Sequence, residues 1–110
     1  GEDGTALEFN NRGGVGCISV TANIAAKLCS EFQNALNNKS DSKMIEKAKK
    51  INDKLLPLHK SLFIESSPSP VKYGASLLNL CSEDVRLPLV KTTEETKKTV
   101  KSAMQNADLI

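Results

Sequence analysis

Residues 13–25 read G-G-V-G-C-I-S-V-T-A-N-I-A, and no other stretch of the 110-residue chain resembles a fully buried strand. Gly13, Gly14 and Gly16 close one element and let backbone approach closely. Cys17, Ile18, Ser19, Val20 and Thr21 then supply small and β-branched side chains suited to a strand. Thr21, Ala22 and Asn23 break the run and offer cap side chains to a helical pattern that starts at Ile24. Helix, strand, helix in this order is one unit of a parallel α/β sheet or a (β/α)8 barrel, and the pattern by itself leaves many α/β folds open.

Size limits the choice. A complete (β/α)8 barrel takes about 250 residues, whereas this chain can hold one small domain with a modest core. Fifteen Lys and Arg against 13 Asp and Glu leave a net charge of +2, too small an imbalance to imply nucleic acid or an anionic membrane as a partner. Cys17, Cys29 and Cys81 have no C-x-x-C spacing and sit among apolar residues, which reads as buried, reduced thiols in a cytoplasmic protein. No run is long and apolar enough to span a membrane, and no basic lead with an apolar core opens the chain.

Several chemistries lack their residues. The single histidine, His59, has no neighbouring ligands for a transition metal and no nucleophile beside it for acyl transfer. Its place in a leucine-rich helix makes it a packing or surface residue. G-G-V-G precedes a strand, whereas a phosphate-binding loop follows a strand and opens a helix. A Schiff-base lysine is best held desolvated on a strand, and every lysine here falls on an expected helix or loop; Lys72 has the look of a helix-start contact.

Before and after the strand the pattern is helical. Thr5 and Glu8 have capping-box spacing for a short helix over Ala6 to Arg12 that stops at Gly13. Ile24, Leu28, Cys29, Phe32 and Leu36 form one apolar stripe, and Asn37 to Asp41 reads as a turn. A longer helix follows from Asp41 through Met44, Ala48, Ile51, Leu55, Leu58 and Leu62, with a kink or break expected at Pro57. Pro70 suits the first turn of another helix, expected to reach about Cys81. Val85, Leu87 and Leu89 are then expected to pack across earlier helices. The last helix should start near Thr92 or Thr93 and turn Val100, Ala103 and Met104 inward. The three helices after Asp41 look like a small appended bundle.

G-E-D-G at Gly1 to Gly4, L-P-L-H-K-S-L-F at Leu56 to Phe63, P-S-P-V-K-Y at Pro68 to Tyr73 and R-L-P-L at Arg86 to Leu89 accompany the strand and its S-V-T-A-N exit. In that order they resemble the dihydrodipicolinate synthase family, pyruvate-dependent Schiff-base enzymes of bacterial and plant lysine synthesis. The resemblance covers the whole chain and aligns Gly1 with the exit of the seventh barrel strand. It implies a C-terminal fragment of a (β/α)8 barrel, mostly helical as it stands. Residues 1–40 would hold the strand 7 exit, helix 7, strand 8 and helix 8, and residues 41–110 an appended helical region.

The family likeness also carries chemical expectations. The parent protein would condense pyruvate with L-aspartate-4-semialdehyde through a lysine enamine, on the diaminopimelate route to lysine, with no cofactor and commonly as a tetramer. Ile18 would contact pyruvate, Gly1 would leave room for substrate, and Glu2 and Asp3 would lie near the aldehyde substrate. The Schiff-base lysine and the proton-relay tyrosine belong to earlier strands, so this chain would contain no catalytic residue and would be inactive alone; Tyr73 is not at the catalytic position. Ser67 and Ser69 stand where the family usually has Asn and Ile. The rival readings are a sister pyruvate-dependent aldolase such as N-acetylneuraminate lyase, which shares the fold and the lysine chemistry, and a stand-alone helical interaction module using the basic face of Asp41 to Lys60.

Overall fold

Apolar residues at helical spacing organise the chain, and the computed structural model, which describes residues 1–110, contains five α-helices. A 3-10 turn over Asp3–Thr5 leads into α1 (Ala6–Asn11), followed by α2 (Ala22–Asn37), α3 (Ser42–Ser61), α4 (Ser69–Leu77) and α5 (Glu94–Asn106). Helix α3 is the spine, about 30 Å long at 1.5 Å per residue. It turns Ala48, Ile51, Leu55 and Leu58 into the core, with Leu62 just beyond its end. The helix runs through Pro57 unbroken. Pro57 and Asp53 are both exposed, so the carbonyl that loses its N–H partner lies on the solvent side.

Helix α2 packs along α3, and α5 packs on α3 and α4. One apolar core of 17 residues draws on all five helices, so residues 1–40 and 41–110 are buried against each other. Non-helical torsions at Ala25 (φ −134°, ψ 42°) set the first turn of α2 apart from the rest.

Local chemistry sets the helix ends. After α1, Gly13 has φ +107° while Gly14 N–H bonds the Phe9 carbonyl and Gly13 N–H the Asn10 carbonyl, the Schellman arrangement. Asn79 and Asp108 end α4 and α5 in the same way, with φ of 57° and 55°. Asn79 therefore stops α4 at Leu77, short of the expected Cys81, and leaves Cys81 exposed on the following loop instead of buried. Leu87 on that loop is exposed as well, while Val85 and Leu89 are half-buried. At the other end of α1 the cap moves: Thr5 makes no side-chain cap bond, and Glu2 instead accepts from Gly4 N–H at 3.1 Å.

The expected buried strand is not formed. Residues 14–19 belong to no helix and no ladder, and Val15 and Ile18 are 83% and 89% exposed. A strand needs neighbours to satisfy its N–H and C=O groups, and the rest of this chain forms none.

Candidate functional site

Side chains on residues 14–19 keep the two-sided habit of a strand without its ladder. Cys17 and Ser19 turn toward the helices and line a cavity of about 250 Å³ with Cys29, Phe32, Leu55 and His59. Ile18 points away from them. The Ile18 carbonyl lies 3.8 Å from where a Cβ on Gly1 would stand, so the chain brings these two residues together.

The end of the segment is held by Asp3, which is nine-tenths buried. Its Oδ2 accepts from Val20 N–H at 2.9 Å and Thr21 N–H at 3.2 Å, and its Oδ1 accepts from the Ser19 hydroxyl. Ser19 Oγ in turn accepts from Ala22 N–H at 2.9 Å. The Thr21 carbonyl accepts from Ile24 and Ala25 N–H, opening α2. Both carboxylate oxygens of Asp3 are thus engaged by the segment that carries Ile18, whereas Glu2 beside it is exposed and caps the 3-10 turn.

Thr21 is fully buried, and its hydroxyl shares a 2.7 Å hydrogen bond with His59 Nδ1 on α3. His59 is a buried residue with no surface role; its Nε2 has no hydrogen-bond partner, and burial pushes its pKa below the usual histidine value against the pull of Asp3 and Glu2. This contact escapes sequence reading because 38 residues separate its partners.

Reactive groups are scarce around Ile18. Burial raises the Cys29 thiol to about 11, and burial followed by the Asp3 charge raises Cys17. Both therefore stay protonated and poorly nucleophilic at neutral pH. An amine that attacks a ketone needs its pKa lowered. Lys91 and Lys97 are instead shifted up by hydrogen bonds to Asp84 and Glu83, and Lys72 gives its ammonium to the Asp84 carbonyl oxygen. The Lys97 ammonium also stands 5.4 Å from the Tyr73 ring centre. No three His, Cys, Asp or Glu side chains gather where they could hold a metal ion.

A glycine-led segment with two-sided burial, backed by helices on one side and unpaired along its backbone, has the form of one unit of an α/β protein. The chain belongs to the dihydrodipicolinate synthetase family, whose model matches residues 1–107. It is 58% identical over all 110 residues to the 4-hydroxy-tetrahydrodipicolinate synthase of Pelagibacter ubique, covering 37% of that protein. It is 51% identical over 110 residues to the synthase of Parvibaculum lavamentivorans, covering 36%. All of the chain superposes on 36% of the dihydrodipicolinate synthase of Thermotoga maritima, with TM-score 0.91 and 33% identity. The chloride-inhibited dihydrodipicolinate synthase of Acinetobacter baumannii complexed with pyruvate gives TM-score 0.90 and 38% identity, again over the whole chain and 36% of that protein. The chain therefore spans just over a third of the length of the curated relatives it matches, and its fold is that of a part of these barrel enzymes.

Proposed function

We propose that this chain supplies one wall of the pyruvate pocket in a 4-hydroxy-tetrahydrodipicolinate synthase that condenses pyruvate with L-aspartate-4-semialdehyde in lysine biosynthesis. The observation that carries the reading is the placement of Ile18. It is turned away from the helices, next to Gly1, on a segment clamped by Asp3. In the complete enzyme a lysine outside this chain forms the iminium with the pyruvate ketone and passes through an enamine that adds to the aldehyde. Ile18 contributes apolar cover that keeps water from the iminium, Gly1 leaves space for substrate, and Asp3 near the aldehyde site holds the segment in register. Residues 1–40 act as part of the barrel and residues 41–110 as its helical appendage, in a cytoplasmic tetramer. No helix of the chain is long and apolar enough to cross a membrane.

The test is borohydride trapping with pyruvate on the full-length protein that carries this chain, read by peptide mass spectrometry. The expected result is an adduct on a lysine outside residues 1–110, and none on the isolated chain. Ile18→Ala should raise the KM for pyruvate at least about tenfold, the low end of what one methylene in an apolar pocket is worth. A lysine adduct within residues 1–110, or an unchanged KM in Ile18→Ala, would contradict the reading.

A further inference from the structure

Thr21 is a junction of three elements. Its amide donates to Asp3 at 3.2 Å, its carbonyl accepts from Ile24 N–H at 3.0 Å and Ala25 N–H at 2.9 Å, and its hydroxyl meets His59 at 2.7 Å. Asp3 lies in the N-terminal 3-10 turn, Ile24 and Ala25 in the first turn of α2, and His59 in the last turn of α3. The kink at Ala25 separates that first turn from the body of α2, so α2 does not by itself fix how Thr21 sits. The hydroxyl bond to α3 adds a second constraint beside the one that Asp3 supplies. The His59 side chain makes no other hydrogen bond, with its Nε2 buried and unpartnered, and a leucine would fill its place beside Leu55 and Leu58 without a buried polar atom of its own.

Building on the pyruvate-pocket reading, we propose that His59 is a positioning residue: through the Thr21 hydroxyl it ties the appended helical region to the Ser19–Thr21 turn and so fixes the direction of Ile18 over pyruvate. His59 touches no substrate. Its effect is relayed over three residues of backbone, from Thr21 to Ile18, and an apolar wall displaced by a fraction of an ångström weakens pyruvate binding more than it slows bound chemistry.

The experiment uses the full-length protein with His59→Leu, His59→Asn and Thr21→Val. Asparagine sets an amide where Nδ1 stood and keeps the bond to Thr21; leucine and Thr21→Val delete it from either side. Both deletions should raise the KM for pyruvate about tenfold with kcat within about threefold, and His59→Asn should return KM to within about twofold of the parent. Amide hydrogen exchange at Val20 and Thr21, whose N–H groups bond Asp3, should quicken in both deletions and recover in His59→Asn. The exchange readout needs no activity. Quickened exchange in a protein that traps no pyruvate sinks the pocket reading and keeps the tether. Unchanged exchange in His59→Leu and Thr21→Val, or unchanged KM in an enzyme that does trap pyruvate, overturns the proposal. If His59→Leu does not fold, Thr21→Val alone decides, because it keeps both the side-chain shape and the histidine.

Discussion

Two side chains, Asp3 and His59, fix the geometry around Ile18, and both are nine-tenths buried polar groups. Because burial lowers the His59 pKa, the unfolded chain takes up a proton below about pH 6.5 that the folded chain resists. The contribution is fully present above that value and is lost as pH falls toward the lower folded pKa. The urea midpoint of the parent should therefore decline from about pH 7.5 to 5.5 more steeply than that of His59→Asn, which cannot titrate. Equal slopes in the two proteins would contradict this. Ile18, Gly1 and Asp3 are named in the sequence through the family resemblance, whose motifs are contiguous. The partners of Asp3 at Ser19, Val20 and Thr21, and of Thr21 at His59, could not, since each pair is joined only by the fold.

Helices were legible where their own residues determine them. The stripes of α2, α3 and α5, the proline at the start of α4 and the threonine before α5 all carry their signal within a few residues. Thr93 Oγ1 accepts from Thr96 N–H at 3.3 Å and donates to Glu65 at 2.9 Å, so it both caps α5 and ties the helix to the loop before α4. Thr93→Ala should cost about 1 kcal/mol of stability, as N-cap losses do, whereas Thr93→Ser should stay near the parent in urea denaturation. Where sequence reading of elements went astray, the deciding group lay outside the pattern. Asn79 in the left-handed region cut α4 short of Cys81, and residues 14–19, with the strand formers Val15 and Ile18, formed no ladder for want of a neighbouring strand.

At the scale of the whole molecule the surface is too large for the mass. A compact protein of 11.9 kDa exposes about 5,900 Å², against 6724 Å² here. Its radius of gyration is 14.5 Å, where about 13 Å is usual for this length. The excess, about 800 Å², is what one side of a standard protein interface buries. With Val15 and Ile18 bare on an unpaired segment, the chain by itself should associate, and sedimentation should show a mass that rises with concentration. Replacing both residues by lysine should return it to a monomer; a parent chain that sediments as a monomer at every concentration would show the surplus surface to be inert. Inside the molecule the situation is reversed, since one core joins what precedes and follows the exposed 38–41 turn. A single hydrolysed peptide bond in that turn would divide the polypeptide in two and leave the halves gripping each other through α2 and α3, so covalent continuity there matters for assembling the fold and little for keeping it.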